Sequence, residues 1–208
     1  MKRLAVLASG AGTNLQALLD ATRGGELVAE VAVVVSDRAG SGALRRGAEA
    51  GVATVLLPLA DRHDAAARAA YDRQLVEVVA AFSPDLIVLA GWMLILSPVF
   101  LERFPGRILN VHPALLPDGI GLEVLTSQGV LPALRGRRVV RDALRERLPV
   151  TGATVHYVTH DVDSGPVILR EEAPVLPDDD EACLHARIKV VEHRLLPRAV
   201  AMALAELP

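Results

Sequence analysis

Short, nearly uninterrupted apolar runs alternate with helical segments along the first half of this chain, and that alternation limits the possible folds more than any other feature. Leu4–Ala8 reads as a short buried strand, Val28–Val35 is continuous and β-branched as a parallel strand covered on both faces should be, and Ala53–Leu57, Leu86–Ala90 and Ile108–Val111 read as further strands. Between them, Asn14–Arg23 follows a glycine turn, and Gly42–Ala50 closes at Gly51, where glycine suits a helix C-terminus. Asp64–Phe82 is a longer helix that stops before Ser83-Pro84. Strand–helix alternation of this kind predicts an α/β, doubly wound, mostly parallel sheet with right-handed crossovers. Further strands are expected near Ala153–Thr159 and Val167–Pro174, giving a C-terminal antiparallel strand. A long helix from Asp180 to Leu207 follows, with a kink expected at Pro197. The 208 residues fit one domain, 1–208, and show neither an internal repeat nor a low-complexity linker.

Composition excludes several classes of function. Half of the residues are apolar but only 3% are aromatic, so the core must be built from Ala, Val and Leu. A formal charge of −3 argues against a nucleic-acid partner, which calls for a basic surface. The single cysteine, Cys183, rules out an internal disulfide, suits a reducing compartment, and is expected as a small buried hydrophobe in a helix. Lys2 and Arg3 precede an apolar run that ends at Ala8, too short for a signal-peptide core, and no stretch is long enough to span a bilayer. A cytoplasmic protein without a membrane partner is expected.

Two stretches carry chemistry. In Ile108-Leu-Asn110-Val-His112-Pro113, alternation along a strand puts the Asn110 amide and the His112 imidazole on the same face. In Val162-Asp163-Ser-Gly-Pro166, a carboxylate sits in a tight turn just beyond another strand. An amide donor, a titratable ring and an acid can together hold a developing oxyanion and move a proton, without a metal or a covalent nucleophile. Ser9-Gly10-Ala11-Gly12-Thr13-Asn14 follows a strand and opens a helix, where backbone N–H groups make an anion site. As a dinucleotide fingerprint, with Asp37 downstream for a ribose, it fails at Leu15, which is too large for the third glycine position. A monophosphate cradle fits better, and a plain tight turn is the remaining reading. His156 and His160 are expected on one strand face but lack a third metal ligand at recognisable spacing. His63 and His185 read as surface residues, and His193 as support for a site.

These stretches resemble the folate-dependent formyltransferase family. Ile108–Pro117 and the Val162–Pro166 turn carry the likeness, and Ser9–Leu18 narrows it to members that formylate glycinamide ribonucleotide in purine synthesis. Val35–Arg38, Leu89–Pro98 and Glu192–Pro197 match in the family's order, so the likeness runs from the first residues to about Pro197. It implies a Rossmann-like formyltransferase fold, with residues 1–105 as the phosphate-binding half and 106–208 as the catalytic and folate-binding half. It also implies 10-formyltetrahydrofolate as co-substrate, 5'-phosphoribosylglycinamide as acceptor, no metal, and a monomer or homodimer. By resemblance Asn110, His112 and Asp163 are catalytic, with Asp163 keeping the imidazole charged. Gly12, Thr13 and Asn14 hold the ribonucleotide phosphate with Arg68 as a second contact, and Glu192 meets the sugar hydroxyls. Met93, Leu94, Ile95, Leu96 and Asp161 bind the folate, the Met93–Leu96 segment walling the pterin and offering backbone hydrogen bonds.

Two features depart from the family. Leu94 stands where a basic residue is common. The segment from Asp118 to Val150 is longer than usual by roughly a dozen residues; Val140, Leu144 and Leu148 recur there at helical spacing among arginines. That segment reads either as a solvated amphipathic helix or as an active-site flap. Hydrolysis of formyltetrahydrofolate at the same three residues is the main alternative activity. Methionyl-tRNA formylation is opposed by the acidic charge, a nicotinamide oxidoreductase by Leu15, and a non-catalytic nucleotide-binding module by the three polar residues occurring together.

Overall fold

The computed structural model describes residues 1–61 and 63–207. A seven-stranded sheet forms the middle layer. In spatial order it runs β3 (Ala53–Leu56), β2 (Ala29–Ser36), β1 (Lys2–Leu7), β4 (Leu86–Leu89), β5 (Ile108–His112), β8 (Val150–Tyr157) and β9 (Val167–Pro174). The first five are parallel; β8 pairs antiparallel with β5, and β9 antiparallel with β8. The doubly wound, mostly parallel α/β sheet expected from the sequence is therefore the fold, closed at one edge by the antiparallel pair.

Alternation along β1 distributes its side chains to the two faces. Leu4 and Val6 join the core beneath α1 (Thr13–Gly24) and α6 (Glu181–Glu206), whereas Ala5 and Leu7 join the one beneath α3 (Ala65–Ala81) and α4 (Pro98–Arg103). The remaining helix on the parallel half is α2 (Gly42–Glu49). Its N-terminus is capped by Ser41, and Asp64 and Asp180 cap α3 and α6, each side chain accepting a backbone N–H from the first turn. Pro197 lies within α6, which continues past it to Glu206.

The extended segment differs from both simple expectations. It contains a β6–β7 hairpin (Glu123–Thr126, Gly129–Pro132) and a short helix α5 (Val139–Arg145). Val139, Val140 and Ala143 of α5 are buried in the main core and Leu144 and Leu148 pack against it, so this helix is part of the fold and not a solvated appendage. Two expectations are corrected. Cys183 is exposed in the first turn of α6, where its N–H serves the Asp180 cap. His160 is exposed beyond the end of β8, so it does not share that strand with buried His156. No helix among the described residues is long and apolar enough to cross a membrane.

Candidate active site

A cavity of about 410 Å³ opens at the carboxyl ends of β1, β4 and β5. Chain direction around the sheet reverses between β1 and β4, leaving the crevice in which open α/β sheets hold ligands. Asn110, His112, His156 and Asp163 all line it. Asn110 and His112 come from β5, and its antiparallel register with β8 places His156 directly opposite Asn110 and Thr154 opposite His112. Thr154 donates its hydroxyl to the Ala114 carbonyl and accepts from the Leu116 N–H, which anchors the turn that follows His112. Asp163 sits in the β8–β9 connection with φ +52, a left-handed conformation that short polar residues tolerate better than most.

The polar groups are close. The Asn110 amide Nδ2 lies 3.2 Å from His156 Nε2 and 3.5 Å from Asp163 Oδ1. His156 Nδ1 lies 2.9 Å from the Tyr157 carbonyl, which can only accept, so the ring carries a proton there, and its Nε2 faces both the Asn110 amide and Asp163 Oδ1, the latter at 3.7 Å. His112 Nδ1 is 3.5 Å from Asp163 Oδ2, and its Nε2–H is held by the Leu134 carbonyl at 2.8 Å. Asp163 Oδ2 also accepts the Gly136 N–H at 2.9 Å.

Burial pulls His112 below its ordinary titration range; Asp163 and the Leu134 carbonyl oppose this, His156 adds to it, and Glu192 opposes it more weakly. For Asp163, burial pushes upward but is overruled by the His156 bond, the His112 charge and the Gly136 N–H, leaving the carboxyl below its usual range. The carboxylate is thus held ionised beside an imidazole that its surroundings bring toward neutrality. Asp163 favours the imidazolium without outweighing burial.

The glycine turn forms a second wall. Gly12 has φ +74, and a Cβ built there would lie 2.6 Å from Ala43 Cα, so glycine is required both by the backbone and by the approach of α2. No side chain caps the first turn of α1, and Gly12, Thr13 and Asn14 line the cavity. Asn14 Nδ2 donates to Glu192 at 2.9 Å, and Lys189 reaches the same carboxylate oxygen at 3.0 Å. Asn14 Oδ1 is buried without a protein partner. Glu192, 2% exposed, joins α6 to the glycine turn at the cavity edge.

Met93, Leu94, Ile95 and Leu96 form the apolar wall, with Met93 and Ile95 exposed toward the mouth. The Met93 N–H donates to Ser9 Oγ at 2.9 Å, tying this wall to the glycine turn. Two arginines hold its carbonyls: Arg137 donates to Met93 and Arg68 to Ile95. Arg68 also pairs with Asp72 and lies outside the cavity lining. Asp161 likewise lies outside it, exposed in the β8–β9 connection.

From the sequence, His156 reads only as a possible metal ligand. Its alternation with Thr154 was visible, but its place opposite Asn110 depends on the β5–β8 pairing. The backbone contacts of Leu134 and Gly136 had no sequence signal at all. No cluster of three potential metal ligands occurs among the described residues.

The family model described as formyl transferase matches residues 2–200. A phosphoribosylglycinamide formyltransferase of Mycobacterium tuberculosis is 46% identical over 96% of this chain and 83% of its own length. The trifunctional purine biosynthetic protein adenosine-3 of Drosophila melanogaster is 40% identical over 97% of this chain, which spans only 14% of that much longer protein. Among solved structures, glycinamide ribonucleotide transformylase 1 from Symbiobacterium toebii superposes with a TM-score of 0.86. It is 41% identical, and the match covers 100% of this chain and 90% of the other.

Proposed function

The chain belongs to the formyl transferase family, and from that premise we propose that it transfers the formyl group of 10-formyltetrahydrofolate to the amine of 5'-phosphoribosylglycinamide. The products are formylglycinamide ribonucleotide and tetrahydrofolate, as de novo purine biosynthesis requires. The observation that carries this reading is the convergence of Asn110, His112 and Asp163 on one cavity whose two ends differ in chemistry. One end has the open first turn of α1, suited to a phosphate. The other has the Met93–Leu96 wall, suited to the flat ring of a pterin.

In this reading Gly12, Thr13 and Asn14 hold the phosphate of the amine substrate, and Glu192 accepts from its sugar hydroxyls. Arg68 would need to leave Asp72 and Ile95 to reach that phosphate. The amine attacks the formyl carbon, and the resulting oxyanion accepts from the Asn110 amide and is stabilised by the positive charge of the His112 imidazolium, a form that burial disfavours in the free site. Asp163 steadies the imidazolium and carries the proton released by the amine toward the departing folate nitrogen. Most of the acceleration comes from holding the two substrates in register, an effect that can reach several kcal/mol. No covalent enzyme intermediate forms.

Release of tetrahydrofolate from the formyl donor, followed with and without the ribonucleotide, tests the proposal. Release that depends on the ribonucleotide and matches its formylation one for one is expected. Equal release without it would assign the chain to hydrolysis of the formyl donor.

A further inference from the structure

Three consecutive residues of the extended segment, Leu134, Arg135 and Gly136, make contact with both His112 and Asp163. The Leu134 carbonyl accepts from His112 Nε2, and the Gly136 N–H donates to Asp163 Oδ2. Between them, Arg135 donates Nε–H to the Asp163 backbone carbonyl at 3.0 Å and Nη2–H to the carbonyls of Gly119 and Gly121 at 3.1 and 2.7 Å. One guanidinium therefore ties the turn that carries Asp163 to the base of the β6–β7 hairpin, and its own peptide neighbours grip the imidazole–carboxylate pair.

We propose that Arg135 is a positioning residue that, through the Leu134 carbonyl and the Gly136 N–H, sets the tautomer of His112 and the orientation of Asp163. A carbonyl can only accept, so the Leu134 bond requires the proton on Nε2. Nδ1 is then the nitrogen left to gain or lose a proton, and it is the one that faces Asp163. Asp163 is held at φ +52 by surroundings that include the Arg135 bond to its own carbonyl. A planar guanidinium reaches these three carbonyls from two nitrogens set apart in a rigid fork, whereas an ammonium offers all its donors from one point. The groups of variable charge facing His112 are Asp163 from the β8–β9 connection, His156 from β8 and Glu192 from α6. All of them remain when Arg135 is replaced, and Arg135→Lys also keeps the positive charge, so a change in His112 titration in that variant reports the clamp itself.

The role assigned here rests on the formyl-transfer reading, and the test separates the two. Arg135→Ala, Arg135→Gln and Arg135→Lys are compared with the parent by steady-state kinetics and by nitrogen-15 shifts of the His112 ring. Turnover is expected to fall about 10- to 100-fold, the loss typical of removing a group that orients a working imidazole. The KM for the ribonucleotide should stay within about twofold, because the glycine turn is untouched. The limb of the kcat profile that follows His112 deprotonation should move to lower pH, and the ring should show a mixture of tautomers instead of the Nε2–H form. Added guanidinium should restore part of the Arg135→Ala rate, and Arg135→Lys should recover only a fraction because it reaches fewer carbonyls. Urea unfolding of the same variants accounts for stability, and any one of the three that folds is sufficient for the comparison. An unchanged pH profile with the parent tautomer overturns the proposal. Absence of formyl transfer in the parent overturns the proposed function instead, and the nitrogen-15 comparison still decides whether the clamp exists.

Discussion

Replacing Asp163 with asparagine keeps the shape of the side chain and removes its charge, which isolates the electrostatic part of the proposed chemistry. The Asn oxygen can still accept the Gly136 N–H, now 2.9 Å from Asp163 Oδ2. What disappears is a negative charge 3.5 Å from His112 Nδ1, on a carboxylate side chain only 9% exposed. At an effective dielectric of about 20, Coulomb's law gives a gross attraction of about 5 kcal/mol at that separation. Solvent entering the open cavity screens much of it. If only about 1.4 kcal/mol survives, the charged fraction of His112 above its titration range still drops about tenfold. Loss of the proton carrier adds to this, so kcat should fall at least about a hundredfold. The limb of the rate profile that follows His112 deprotonation should also move to lower pH. Tetrahydrofolate release measured between about pH 5.5 and 8.5, where an imidazole titrates, reads both quantities. Asp163→Asn retaining turnover within about threefold, with an unmoved profile, would refute the reasoning, since a loss of about a hundredfold is the least expected of a proton-transfer group.

Four further outcomes are expected. Asn110→Ala and His112→Ala should each cost about a hundredfold or more in turnover, and the double variant less than the product of the two; near-normal turnover in His112→Ala would remove the assignment. Gly12→Val should raise the KM for the ribonucleotide and leave folate binding nearly unchanged. It should also lower stability, by about 1–2 kcal/mol from the left-handed backbone alone, with the contact on Ala43 adding more; weakened folate binding with intact ribonucleotide binding would mean the half-sites are reversed. Arg68→Ala should raise the KM for the folate, because its bond to the Ile95 carbonyl steadies that wall; a rise confined to the ribonucleotide would make Arg68 a phosphate contact. The pH dependence of unfolding should show two acid-side losses. Burial lowers the pKa of His112, so the unfolded chain takes that proton first, and stability present above about pH 6.5 is lost as pH falls through the folded value. Asp163 is also lowered, so its contribution is present above about pH 3.8 and lost below it. Urea midpoints across this range check both, and His112→Gln should shrink the first loss.

The parallel half of the sheet was readable along the chain because buried parallel strands show as continuous Val, Leu and Ile runs, punctuated by glycine and by capping residues such as Ser41, Asp64 and Asp180. Alternation also placed Asn110 and His112 on one face before any coordinates, since the period of a strand is a property of the backbone itself. The turn holding Asp163 and the glycine turn before α1 are local too, set by Gly165-Pro166 and by Gly12 at φ +74. Strand order is not local. His156 faces Asn110 only because β8 runs antiparallel beside β5, and a register one residue different would turn it to the other side of the sheet. Cys183 and His160 were misplaced for a related reason, since exposure depends on what packs over a residue and where a strand ends. The grip of Leu134, Arg135 and Gly136 on His112 and Asp163 left no trace in the sequence, because two of its three contacts with the pair's side chains and backbone are made by peptide groups that every residue carries. Side-chain chemistry and backbone periodicity are written along the chain, whereas backbone contacts between distant segments exist only once tertiary packing has brought those segments together.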